Sequence, residues 1–379
     1  MTFTLPMLAT AAALTATLCV GCGADGSPPF TSPRADLGAS GDDAGTPRTS
    51  RGDGATPEGD AGSSQQVTHL QLAEHYAPVW YQDTDSRNYK ADYITRYDFD
   101  GDTRSDNNWN NLDSKSADLR AVIYYSVVET ESHYFVLYTD FHPRDWAKSC
   151  STYLIPGYQP CHENDMEGAM VVVRKVDGEP FGRFEVLYTE AHNALHIYSN
   201  EPSVARRSGR LESVEVTFED KTHPELYVES KGHGVCALLH EASSHCQRGV
   251  ADPREFDGGD GLVYRYKGRA EAPRSGNDRD VGYALRPLGP LWKRRADICD
   301  GGCTFDGEMR YAGMTLGLAF DGDDHGDDKA NPPWAWDDPD DGAVARGDFF
   351  FRPAETLDKH IKLDGVISKT YLHNPYLQP

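Results

Sequence analysis

Seven stretches of this chain, 121–128, 133–140, 168–175, 183–189, 211–218, 225–228 and 262–267, are rich in Val, Tyr and Phe and are separated by turn-forming residues. Short runs of β-branched and aromatic residues favour extended strands, whose side chains alternate between two faces. Helical periodicity is scarce. The clearest helix start is Thr68-His69-Leu70-Gln71, which has the spacing of a capping box, with Leu70, Ala73 and Ala77 at helical intervals until Pro78 stops the run. The pattern predicts a mainly β protein, an antiparallel β-sandwich with long loops and a few short helices. No internal repeat divides residues 67–379, so they are expected to form a single β-sandwich domain, longer than such a core requires.

Ahead of that domain lie two segments of different character. Residues 1–22 carry no charge, and the apolar, alanine-rich run 5–20 sits where a secretory signal belongs and is too short for a spanning helix. Cys19-Val20-Gly21-Cys22 resembles the lipobox of bacterial lipoproteins, which makes Cys22 the expected lipidated N-terminus of the mature chain. Residues 23–66 are dominated by Gly, Ser, Asp, Pro, Ala and Thr, a composition that cannot bury enough surface to order itself and reads as a tether. Export to the cell envelope, anchored to the cell's own membrane or else secreted, is the expected localisation.

The net charge is −23, of which the first 66 residues account for −4, so the domain itself is acidic. That excludes a phosphate-backbone binder, since no basic patch interrupts it, and suits divalent cations or cationic partners. Eight cysteines fit an oxidising compartment. With Cys19 removed and Cys22 lipidated, six remain in three close pairs, Cys150 with Cys161, Cys236 with Cys246 and Cys299 with Cys303. Three local disulfides are the expectation, and zinc knuckles are disfavoured because no two C-x-x-C motifs occur.

The densest chemistry is Cys161-His162-Glu163-Asn164-Asp165-Met166-Glu167-Gly168, which brings three candidate metal ligands into six residues beside the apolar run 169–173. If this is one regular strand, Asp165 and Glu167 project from the same face. His162 would point the other way, so joining them requires a bend before Asp165, and His162 is expected on an entering loop. Asp145, after Phe141-His142-Pro143-Arg144, is the fourth candidate, and a Cys150–Cys161 bridge would draw it towards His162. Three carboxylates and one imidazole form a hard-cation set suited to magnesium, calcium or manganese. Crowded carboxylates without a cation should show at least one raised pKa. Asp98, Asp100, Asp102 and Asp106 form a secondary calcium-loop candidate, although the glycine spacing is not that of an EF-hand. His240 and His245 are five residues apart, one too many for a zincin helix. His192, His196 and His233 either line a pocket or, as is commoner for isolated histidines in a tyrosine-rich sandwich, are structural.

At 141–145 and 162–167 the chain resembles the necrosis- and ethylene-inducing-peptide-like proteins and the related vacuolar-protein-sorting-associated family. Tyr188-Thr189-Glu190-Ala191-His192, His223-Pro224-Glu225-Leu226-Tyr227-Val228, Gly232-His233-Gly234 and Pro332-Pro333-Trp334-Ala335-Trp336 resemble later landmarks of the sorting-associated group. The resemblance implies an antiparallel β-sandwich in which Asp145, His162, Asp165 and Glu167 surround a divalent cation. The toxin heptapeptide has glycine, arginine, histidine and tryptophan where this chain has Cys161, Glu163, Asn164 and Met166, so the fold and cation site carry over and cytolysis does not.

The function these features imply is an exported, lipid-anchored, cation-binding module that holds a glycan, a lipid head group or another anionic ligand. A metal-dependent hydrolase with His162 or Glu167 as base is the alternative from a different class. A cell-surface structural protein stiffened by its cation is the third.

Overall fold

Alternation within the central strands settles what each buries. Strand β1 spans Val79–Asp83, β2 Val122–Thr130, β3 His133–Thr139, β4 His142–Asp145, β5 His162–Asp165, β6 Gly168–Val176, β7 Glu179–Ala191 and β8 Ala194–Tyr198. In β3, Phe135 and Leu137 enter one apolar cluster while Val136 and Tyr138 enter another; in β6, Met170 and Val172 divide from Val171 and Val173 in the same way. Both faces of this part of the sheet are therefore buried. The first face is covered by Phe349, Phe350, Phe351 and Leu357 from the C-terminal helices Asp348–Phe351 and Pro353–His360.

The computed structural model describes residues 67–146, 161–192, 194–207, 211–239, 246, 260–294, 310–311, 314–315, 332–336 and 347–377. Cys22 and the tether, Cys150, the 240–245 segment, Cys299 and Cys303 lie outside the described residues.

Further strands are β9 (Ala205–Arg206), β10 (Phe218–Glu219), β11 (His223–Val228), β12 (Val235–Ala237), β13 (Gly261–Tyr266) and β14 (Val281–Pro287). The main sheet runs β10-β11-β1-β13-β14-β2-β3-β6-β7-β8, with β12 pairing on β11. It is mixed, which corrects the antiparallel expectation: β1 with β11, β13 with β14 and β14 with β2 are parallel pairs. Antiparallel order holds where hairpins join neighbours, as at Asp177-Gly178 between β6 and β7, where Gly178 has φ +81°. Where long connections separate the strands, nothing local forces the chain to reverse.

Residues 211–218 alternate like a strand, yet only Phe218 of that stretch is in one. The Asn200 side chain accounts for part of this. It accepts from the Val216 N–H at 2.8 Å and donates to the Val216 carbonyl at 2.7 Å, satisfying backbone groups that a ladder would otherwise need. Strand β1 lies outside the seven stretches for the opposite reason. All five of its residues are buried, so no polar face marks it out.

The N-terminal helix α1 (His69–His75) begins as expected, with Thr68 and Gln71 forming a reciprocal capping box. Leu72 and Ala73 face the core, whereas Leu70 is exposed. Cys236 and Cys246 form a disulfide, and Cys161 is disulfide-bonded to a partner outside the described residues. The sheet turns far enough that β12 meets the start of β6: the Val235 N–H donates to the Glu167 carboxylate at 3.1 Å.

Candidate functional site

The β4–β5 ribbon sets Asp145 opposite His162, Arg144 opposite Glu163 and His142 opposite Asp165. His162 therefore lies on a strand rather than on an entering loop. The required bend is present two residues later, at Asn164, whose φ of +63° breaks the alternation before Asp165. Asn164 tolerates it because its side chain is tied down, donating to the Ser105 carbonyl at 2.8 Å and accepting from the Asn108 amide at 2.6 Å. Asn108 belongs to the short helix α2, Asn108–Asn111.

Three of the four proposed ligands sit in carboxylate–histidine pairs, and the fourth, Glu167, is held by backbone N–H groups. His162 Nε2 stands 3.2 Å from Asp145 Oδ2, and its Nδ1–H donates to the Asn164 carbonyl at 2.8 Å. Asp165 Oδ2 accepts from His233 Nδ1 at 2.8 Å. Glu167 Oε1 accepts from the His192 backbone N–H at 3.0 Å and Oε2 from the Val235 N–H. The His192 ring reaches Glu229 at 2.7 Å. Among the described residues, no three His, Cys, Asp or Glu side chains converge in ligating geometry. What the structure does bring together is their fields: Asp165 acts on His162, Glu167, His192 and Asp140.

Burial and crowding shift these groups in opposite directions. Glu167 is almost fully buried, and that burial, together with the charges of Glu190, Asp165 and Asp140, pushes its carboxyl well above the usual range. Asp140 is raised well above as well, by burial first and by Asp165 among its charged neighbours; its Oδ2 has no hydrogen-bond partner. Burial disfavours the charged His162 ring, yet Asp145 and then Asp165 outweigh it and raise the imidazole to about 9. The same contest at His233, with Asp165 and Asp92 on its two sides, ends at about 10. His142, buried and stacked flat on His233 with ring centroids 3.7 Å apart, is held well below the ordinary histidine value by burial and by that neighbouring charge.

Of the pocket-lining and structural readings open to His192 and His233, the structure places both beside candidate ligands, His233 through its ring on Asp165 and His192 through its backbone N–H on Glu167. Only Gly232-His233-Gly234 hinted at this, as a histidine between two residues that permit close approach. A Cβ at Gly232 would lie 2.7 Å from the His192 ring, and one at Gly234 would lie 2.8 Å from Glu229 Oε2 and 3.0 Å from His192 Nε2. Both glycines make room for the His192–Glu229 pair. Gly234→Ala is expected to displace that pair at a cost of about 1–3 kcal/mol, the usual range for overpacking. Urea denaturation measures it; an unchanged midpoint would show that the cradle has slack. His196 lies apart, on Glu212 at 3.1 Å.

The four aspartates of the secondary calcium loop are not gathered. Asp98 is paired with Arg96 and Asp106 with Arg104, while Asp100 accepts from Asn111 and Asp102 from Asn107. Each carboxylate has a donor from the chain itself.

No family model and no curated protein sequence matches this chain. Solved structures similar to it include one described as a toxin fold for microbial attack and plant defense, 13% identical, covering 48% of this chain and 75% of its own, with a TM-score of 0.26. Necrosis and Ethylene inducing Protein 2, from the causal agent of cocoa's Witches Broom disease, is 14% identical over 46% of this chain and 71% of its own, with a TM-score of 0.25. NLPPya in complex with glucosamine is 14% identical over 34% of this chain and 48% of its own, with a TM-score of 0.21. The solved structures this mainly β chain is similar to are thus necrosis- and ethylene-inducing toxin-fold proteins, over about half of its length or less.

Proposed function

We propose that this chain is an exported binding module in which Asp145, His162, Asp165 and Glu167 hold a divalent cation, and that the cation holds a glycan or lipid head group. The observation that carries the reading is the burial of Asp140, Asp165, Glu167 and Glu190 within reach of one another's charge. Acids crowded in a poorly solvated site repel, and a divalent ion relieves them. The donor chemistry fits a hard cation. Both Glu167 oxygens and one Asp165 oxygen already accept N–H donors, which favours single-oxygen ligation and hence six-coordinate magnesium or manganese over calcium. When bound, the ion supplies positive charge at which hydroxyl or phosphate oxygens can dock.

Because a ligating imidazole must be unprotonated, binding at His162 releases a proton. The ring is raised to about 9, so its proton competes with metal below that pH. Apparent affinity is therefore expected to rise by about tenfold per pH unit from 6.5 to 8.5 and to level off above 9. Calorimetric titration of chelator-treated protein with magnesium, manganese and calcium checks both points. No binding, or binding unchanged in Asp165→Ala, ends the proposal. Glucosamine titrated with and without manganese tests the second half, and palmitate incorporation lost in Cys22→Ser tests the anchor.

A metal-dependent hydrolase is the second reading, favoured by the openness of His192, whose side chain is 41% exposed in front of Glu229. Turnover of a phosphodiester, ester or glycoside that disappears in Glu167→Gln selects it over the binding module.

A further inference from the structure

We infer that Asp92 is a positioning residue for the cation site, acting through His233 to fix the direction in which Asp165 presents its free oxygen. The inference rests on the cation reading above and goes beyond it, since Asp92 lies outside the ligand set, far from the ligand-bearing strands in sequence.

Asp92 is fully buried in the connection between β1 and β2. Its Oδ2 accepts from the Asp85 N–H at 2.7 Å and its Oδ1 from the Lys231 N–H at 2.6 Å, so one carboxylate ties two separate loops together. Its Oδ1 also stands 3.5 Å from His233 Nε2, an ion-pair contact rather than a hydrogen bond. The opposite ring nitrogen of His233 is the one that meets Asp165. The result is a line, Asp92 to His233 to Asp165, whose first member is anchored by backbone and whose last is a proposed ligand.

The middle member is held by its Nδ1 bond to Asp165 and by stacking. His233 is fully buried with φ +53°, and its ring lies within 2° of parallel to that of His142. His142 is held in turn: its Nε2 is 3.1 Å from Gln82 Oε1, and the Gln82 amide donates to the Asp83 and Glu229 carbonyls. Lys231, which receives the Asp92 anchor, has φ +75°, so the loop reaches His233 through a backbone state that needs external support. Asp165 Oδ1 takes part in none of these bonds and remains for a ligand. Carboxylates and imidazoles behind a metal ligand set its orientation, and their loss typically lowers affinity by about 10–100-fold.

The test is manganese affinity, by calorimetry and by electron paramagnetic resonance, for the wild type, Asp92→Asn, His233→Gln and Asp85→Asn. Asp85 serves as the control, because it supports the same loop from its other side, through Lys231 Nζ at 3.3 Å, without touching His233. The expected result is binding at least tenfold weaker in Asp92→Asn and His233→Gln, an altered manganese spectrum at saturation, and wild-type affinity in Asp85→Asn whatever its melting temperature. If affinity in all three variants instead follows melting temperature, or Asp92→Asn binds like the wild type, the positioning role is overturned and the cation site stands. A wild type that binds no manganese overturns both. Should Asp92→Asn fail to fold, His233→Gln decides, since it leaves the two backbone bonds of Asp92 intact.

Discussion

Asp165→Ala is expected to abolish divalent-cation binding and to cost about 3 kcal/mol of stability even in chelator-treated protein. The first effect follows from the proposed cation site, in which Asp165 is a ligand. The second comes from its partner. His233 is fully buried, and without Asp165 only Asp92, 3.5 Å away, still faces it, so the loss falls at the lower end of the about 3–5 kcal/mol typical of a broken buried ion pair. The sign of the pH dependence follows from the direction of the shift. His233 is raised to about 10 from 6.5, so its contribution is fully present below about pH 6.5 and is lost as pH rises through about 10. The difference in unfolding free energy between wild type and Asp165→Ala should therefore be largest near pH 6 and shrink towards pH 10. Urea denaturation at several pH values measures it, and a difference that grows with pH would contradict the assigned pair.

The second large effect is expected at Gly168, where β6 begins directly after Glu167. A Cβ there would lie 2.1 Å from the Tyr138 carbonyl oxygen, 2.9 Å from Thr139 Cα and 3.1 Å from the Trp336 ring. Two of those neighbours are backbone atoms of β3, the strand paired with β6 through Thr139 and Gly168. Neither can retreat without opening the ladder, so Gly168→Ala should cost about 3 kcal/mol, at the upper end for overpacking. Gly178→Ala is the comparison. Unlike Gly168 it has a left-handed backbone, with φ +81°, but no atom lies within 4 Å of the new Cβ, so only the backbone strain of about 1–2 kcal/mol applies. Equal losses at the two positions would mean that the close approach at Gly168 is not the constraint.

These two positions also show how far local pattern reaches. Gly168 follows a run of candidate ligands and precedes an apolar strand, and both features were legible, yet nothing nearby in sequence announces that the Tyr138 carbonyl presses against it. The reason for the glycine lies thirty residues upstream, on another strand.

Local periodicity made β3, β6, β11 and β13 readable, because their residue types favour extended backbone wherever they fall. It also made the helix start at Thr68 readable, because a capping box is complete within four residues. The spacing of Asp145, His162, Asp165 and Glu167 drew attention to the β4–β5 ribbon and the start of β6, which the structure places side by side. Tertiary structure alone decided the rest. The direction of β14 against β13 and β2 depends on long connections whose path no short pattern encodes, so the sheet came out mixed. His192, His233 and Asp92 reach the site only because the sheet turns until β12 meets β6. A histidine carries the same side chain whether it faces solvent, a core or a carboxylate, and only the fold sets which of these it meets.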